Sequence, residues 1–181
     1  MITAAPDLSG SNLTTSRAWL PPGFSATFTA ALTNSGVGPS ASTYATMTLP
    51  TELAAPSSLS PGLVYDPNTH NATWTGDVAV SETKTLAFTS LISPTLTACG
   101  QVTVNGAVED GFGIITPLST TVSLAVPDVN CSGSVDIADI QQVAARWPLP
   151  IADPGYHPRY DLNADDVIDV LDIIAVANAW N

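Results

Sequence analysis

Basic residues are nearly missing from this chain: Arg17, Lys84, Arg146 and Arg159 stand against sixteen acidic residues, for a formal charge of −12. A surface so acidic repels phosphate backbones and anionic lipid heads, which excludes nucleic acid as a partner. No apolar run reaches the roughly 18 to 20 residues that a membrane-crossing helix needs, so membrane insertion is not expected. Histidine is scarce too, with His70 set in a turn and His157 in a proline-rich connector. Without a convincing partner for either, general acid–base chemistry has little to work with, and a non-enzymatic protein is expected. Outside one C-terminal cluster the acids are just Asp7, Glu52, Asp66, Asp77, Glu82, Glu109 and Asp110, and Glu109 with Asp110 beside Gly111 reads as a turn before it reads as a catalytic pair. Met1 to Pro6 lacks the basic and apolar regions of a signal peptide, so a leader is expected to have been removed.

What is present is a twelve-residue pattern that occurs twice, at 128–139 and 161–172, with starts 33 residues apart. Asp128/Asp161, Asn130/Asn163, Asp136/Asp169, Asp139/Asp172, Ile140/Ile173, Val143/Val176, Ala144/Ala177 and Trp147/Trp180 are identical, the mark of a duplication. A cation of calcium's size takes six to eight oxygens, and a tight loop delivers them from positions 1, 3, 5, 7, 9 and 12. The first loop offers Asp128, Asn130 and Ser132, the Ser134 carbonyl, Asp136 through a water, and Asp139. The second offers Asp161, Asn163, Asp165, the Val167 carbonyl, Asp169 and Asp172. Gly133 suits the left-handed turn at position 6, where the second loop has Asp166, a residue that tolerates that conformation at some cost in affinity. The hydrophobe at position 8, Val135 or Ile168, is expected to point inward and tie the loops together. Two Ca2+ are therefore the expected cofactors. Residues 128–181 carry nine acids against two arginines, so the metal-free segment repels itself and metal binding becomes folding energy.

The flanks distinguish among calcium-binding loops. Thr121–Val126 alternates like a strand and Pro127 blocks a helix before the first loop, whereas helical spacing follows each loop. This unit of loop then helix, twice, with Asp rather than Glu at position 12, resembles the F-hand duplication of the dockerin family over residues 128–181, about 30% of the chain. The resemblance implies calcium-dependent docking to a cohesin module on another protein. The family's recognition positions fall on Ile137, Ala138, Ala144 and Ala145 in the first copy and on Val170, Leu171, Val176 and Ala177 in the second. The polar pairs common in cellulosomal dockerins are absent here, and the same apolar residues suit either a partner surface or an internal core.

Residues 1–127 differ in kind, with strand-like alternation at Phe24–Leu32, Lys84–Leu91, Gln101–Asn105 and Thr120–Val126 between turn signals. Seven or more such strands predict a two-sheet sandwich with Trp74 in its core. The order of turns and strands resembles the immunoglobulin-like DUF11 repeats of bacterial surface proteins, which implies a scaffold or adhesive role. The expected fold is thus mainly β with a small α part: an immunoglobulin-like β-sandwich over 1–127, then a dockerin-like calcium module over 128–181. Because Asp128 follows Pro127 directly with no flexible linker, the pair also resembles an X module packed on its dockerin. Secretion or display on a bacterial surface is expected, where calcium is abundant. Cys99 and Cys131 can pair there, or stay as two free thiols. Two other readings stand beside cohesin docking. In one, the calcium unit caps its own sandwich within a stalk. In the other, the sandwich binds carbohydrate on an exposed platform drawn from Trp19, Tyr44, Tyr65 and Trp74.

Overall fold

The computed structural model describes residues 4–180; the expectation about a leader at Met1 lies outside them. The chain opens with β1 (Asn12–Thr15), β2 (Trp19–Leu20), β3 (Ser25–Thr33), β4 (Thr43–Thr48) and β5 (Ser58–Leu59). Next come β6 (Val64–Asp66), β7 (Asn71–Gly76), β8 (Thr83–Leu91), β9 (Gln101–Glu109) and β10 (Ile115–Leu124). The C-terminal part holds α1 (Ile137–Ala144), β11 (Leu149–Pro150), a 3-10 turn (Pro158–Tyr160), β12 (Val167–Ile168) and α2 (Val170–Asn178). Among the described residues no helix is long and apolar enough to cross a membrane.

Contacts divide the chain into two compact units. The first comprises the residues up to Ser16, Ala26–Leu91 and Thr103–Thr121. One of its sheets orders the strands β1-β3-β8-β5, and the other runs β10-β9-β4-β7-β6. The period-two pattern of the sequence explains why: Ala26, Phe28, Ala30 and Leu32 of β3, and Leu86 and Phe88 of β8, are buried while the residues between them are not. In the other sheet β4 pairs antiparallel with both neighbours, setting Ala45 opposite Trp74 and Val108, all buried. A four-stranded sheet in this order, with β10-β9-β4 as the second, is the strand arrangement of an immunoglobulin-like sandwich, and the β6–β7 pair extends it beyond β4. The turn after β9 is tight. Asp110 accepts hydrogen bonds from the Phe112 and Ile114 N–H groups at 2.8 and 3.1 Å. Gly111 there has φ +81°, and a β-carbon at this position would run into the Ala41 carbonyl, so a side chain has no room.

Phe28 and Phe88 stack with ring centroids 5.1 Å apart at the centre of the first sheet. Phe28→Ala should lower unfolding stability by about 3–5 kcal/mol in a urea titration. A loss under about 1 kcal/mol would mean that this face is not the core of the unit.

The second unit comprises Arg17–Ser25, Ile92–Val102 and the chain from Val122 onward. The composition boundary after residue 127 therefore falls inside it. β2 pairs in parallel with the end of β10, Trp19 opposite Ser123 and Leu20 opposite Leu124. Ala125, Val129, Val143, Tyr160, Leu162, Ile168 and Val176 form its buried cluster, with Val135, Ile140 and Ile173 packed against them. The two position-8 residues, Val135 and Ile168, thus meet one shared core. Ile168 in addition pairs through β12 with Leu149 of β11, which makes the proline-rich connector a strand partner of the second loop. Cys99 and Cys131, left open between pairing and free thiols, form a disulfide with the α-carbons 5.7 Å apart.

Candidate functional site: two acidic loops and the helices they cap

The two loops share one backbone. Position 4 is left-handed in both, with φ +58° at Cys131 and +56° at Ala164, and so is position 6, with +93° at Gly133 and +70° at Asp166. The correspondence extends to single hydrogen bonds. Asp128 accepts from the Ser132 and Gly133 N–H groups at 3.0 and 2.8 Å, and Asp161 accepts from those of Asp165 and Asp166 at 3.1 and 3.0 Å. Asn130 and Asn163 accept from the same position-5 N–H groups at 2.8 and 3.1 Å.

Positions 9 to 12 double as helix caps. Asp136 opens α1 and accepts from the Ala138 N–H, while Asp139 reaches back to the Asp136 N–H at 2.9 Å. Asp169 and Asp172 repeat this reciprocal capping box at the start of α2. The second oxygen of each position-12 carboxylate crosses the loop, to the Asn130 N–H at 3.1 Å in one copy and to the Leu162 N–H at 2.6 Å in the other. Each loop is thereby closed on the first turn of its own helix.

The charge in this arrangement is not balanced within the loops. Asp139 and Asp172 have no exposed surface, and Asp128 and Asp161 are buried. Among the described residues the one ion pair near them is Arg17 with Asp166, at 2.5 and 3.0 Å. Arg17 holds the Asp166 carboxyl below the usual carboxylate range, while burial, with Asp161 and Asp165 nearby, pushes the Asp172 carboxyl up. The Tyr156 hydroxyl donates to Asp161 at 2.7 Å, and burial together with that bond raises its phenol. Among the described residues no three His, Cys, Asp or Glu side chains gather closely enough to hold a metal by themselves. The loops instead mix carboxylates with amide, hydroxyl and main-chain oxygens, the donor chemistry of a hard cation, and four buried carboxylates lack a counter-ion in the same loops. The residues present thus fit calcium in kind.

The residues named for partner binding divide. Ile137, Val170 and Leu171, in the first turns of the two helices, are 52%, 49% and 51% exposed. Ala144, Ala145 and Ala177 are exposed as well, and Ala138 is half-buried. Val176 is a correction: the helical period that pairs it with Val143 turns both into the buried cluster, so it cannot face a partner. Trp147 and Trp180 lie past the helix ends and are exposed. Exposed Ile174 extends the apolar surface of α2 and was missed, because the sequence was read only at duplicated and family positions. Arg17 was missed as well, since 149 residues separate it from Asp166 and neither local period nor spacing marks it. Among the described residues no flat pair of exposed tryptophans occurs in the first unit, where Trp74 is buried with Lys84 over its ring.

No family model matches the chain, and no curated protein matches it. Among solved structures it is similar to the CARDB domain of the PF1109 protein from Pyrococcus furiosus, solved in complex with di-metal ions, at 18% identity, a TM-score of 0.47, and coverage of 68% of this chain and 92% of that one. An immunoglobulin-like protein from Nocardia farcinica matches at 16% identity and a TM-score of 0.46, covering 62% and 97%. BcpA, the major pilin subunit of Bacillus cereus, matches at 8% and 0.44, covering 63% and 39%. Likenesses this remote carry no functional argument.

Proposed function

We propose that this chain is a non-catalytic interaction module that docks to a cohesin-type protein when its two loops hold calcium. The observation that carries the reading is the repeat of two oxygen-rich loops, each with the same position-1 and position-3 hydrogen bonds, with buried, uncompensated carboxylates, and each capping the helix that follows. Asp128, Asn130, Ser132, Asp136 and Asp139, with the Ser134 carbonyl, would hold one ion. Asp161, Asn163, Asp165, Asp169 and Asp172, with the Val167 carbonyl, would hold the other. A bound ion supplies the positive charge that buried carboxylates lack. The loops then fix the start of α1 and α2, and the first turns of those helices carry Ile137, Val170 and Leu171 outward into solvent. The sandwich serves as scaffold, in keeping with its DUF11 resemblance. The disulfide suits an oxidising compartment outside the cell.

The structural alternative, a calcium-stapled cap within a stalk, has one observation in its favour. Both loops are fastened by residues far back in the chain, the first by Cys99 and the second by Arg17. The exposure of Ile137, Val170 and Leu171 favours docking, because a cap has no use for apolar side chains in water.

Calorimetric titration of the chelator-stripped chain with calcium should give two bound equivalents with a gain of helical dichroism. A panel of cohesin domains should then capture the calcium form alone. Ile137→Glu with Leu171→Glu should weaken that capture at least tenfold, about 1.4 kcal/mol, without lowering the melting temperature. Zero calcium equivalents would remove the reading, and calcium uptake with no cohesin captured would move it to the cap.

A further inference from the structure

Three of the four basic residues of this acidic chain line two neighbouring hollows of the second unit, Arg146 and Arg159 on an open hollow of about 380 Å³. Its walls include Trp19, Tyr156, His157, Arg146 and Arg159. A second hollow of about 310 Å³ adjoins it, sharing Trp19 and Tyr156 and adding Arg17. Both volumes fall at the lower end of those that hold small organic ligands. We propose that the paired hollows bind a carboxylated sugar, a uronic acid unit of a polysaccharide, with Arg146 and Arg159 taking the carboxylate and Trp19 and Tyr156 flanking successive rings. The proposal is independent of cohesin docking and uses none of the docking residues.

Charge identifies the anionic part of the ligand. Among the described residues neither Arg146 nor Arg159 meets a carboxylate, in a protein where acids outnumber bases four to one. Arg146 lies over the Tyr160 ring at 3.8 Å and donates to the Gln142 carbonyl, and Arg159 stands 5.6 Å from the Trp19 ring centroid and donates to the Cys131 sulfur. Both guanidinium groups are thus positioned by aromatic and neutral partners, with donors left over for a planar carboxylate. Three acids touch these walls and each is engaged: Asp161 by the Tyr156 hydroxyl, Asp166 by Arg17, and Asp153 by the Gly155 N–H at 2.7 Å. His157 accepts the Arg159 N–H on Nδ1, so its neutral ring keeps a donor on Nε2. Burial, then Arg159 and Arg146, hold its basicity below the ordinary histidine value, which agrees with a positive local field.

Shape identifies the sugar. Trp19 meets His157 edge-on at 5.5 Å, which helps fix the indole as a wall common to both hollows. A lone carboxylate or a phosphate would need no pair of adjoining aromatic-walled spaces, whereas a chain of sugar rings fills two in succession.

The test is titration of the full, calcium-loaded chain with trigalacturonate, followed by the Trp19 indole N–H resonance and by calorimetry. Trigalacturonate should shift that resonance at millimolar concentration or below. Its methyl ester, with the same rings and no charge, should bind at least tenfold more weakly. Arg146→Gln and Arg159→Gln should each weaken binding at least tenfold, while Lys84→Gln should leave it unchanged. Should one of the arginine variants fail to fold, the ester comparison on the unaltered chain still decides. Equal binding of the ester would overturn carboxylate recognition, and equal binding of acetate or a glutamate-rich peptide would overturn the sugar. No shift at millimolar trigalacturonate, or an equal loss in Lys84→Gln, would overturn the site itself.

Discussion

Asp172→Ala should lower bound calcium from two equivalents to one and cause the largest fall in melting temperature of any single loop substitution. The carboxylate has no exposed surface, and its two oxygens accept the Leu162 and Asp169 N–H groups. It therefore serves the loop as the proposed last ligand and the helix as the reciprocal half of the capping box. Removing it strands the buried Leu162 N–H, at about 1–3 kcal/mol, and the part-buried Asp169 N–H at less. With calcium at a hundred times its dissociation constant, the lost ion removes about 2.7 kcal/mol more. Those two parts separate by experiment, because a chelator abolishes only the second. The drop in melting temperature should be larger in calcium than in chelator, and Asp139→Ala should repeat the result at the first loop. An equal drop in both conditions would leave Asp172 with a capping role alone and would count against calcium in that loop.

The reach of the sequence can be judged from particular residues. Alternation identified the inward residues of β3 and β8 because one face of each sheet is dry, and Trp74, the one large aromatic in an otherwise small-residue strand, is in the core as expected. The duplication told more than composition could, since identical residues at a spacing of 33 specify the same turn twice; the left-handed backbone at position 6 was legible from Gly133, whereas that at position 4, on Cys131 and Ala164, was not. Helical spacing was less decisive. Val143 and Val176 lie on the buried side of their helices while Leu171 and Ile174 do not, and an apolar stripe alone cannot say which of its edges meets water. Contacts between distant parts of the chain left no local trace. The pairing of Trp19 with Ser123, of Arg17 with Asp166 and of Leu149 with Ile168 depends on tertiary packing, and a two-residue strand carries no period to read. The cysteines marked a possible bond, but which thiols pair depends on distances that a sequence of two cysteines leaves open.

Removing the disulfide should cost about 3–4 kcal/mol of unfolding stability, the loop-closure entropy of a link between residues 32 apart. Cys99→Ser with Cys131→Ser, measured by urea unfolding against the oxidised chain, gives that number directly. The consequence should not be confined to stability. Cys131 is position 4 of the first loop, between the proposed ligands Asn130 and Ser132, in a left-handed conformation uncommon for residues other than glycine. The bond to Cys99 helps hold it there, and the Cys99 sulfur lies 3.1 Å from the Asp128 carbonyl oxygen. Ala164 adopts the same conformation in the second loop with no cross-link, which makes that loop an internal control. Reduction or the double serine change should therefore weaken calcium at the first loop and leave the second unaltered. An equal loss at both loops would point to general destabilisation of the unit. An unchanged first site would mean that the backbone at position 4 is set by the loop's own hydrogen bonds, chiefly those Asp128 accepts from Ser132 and Gly133.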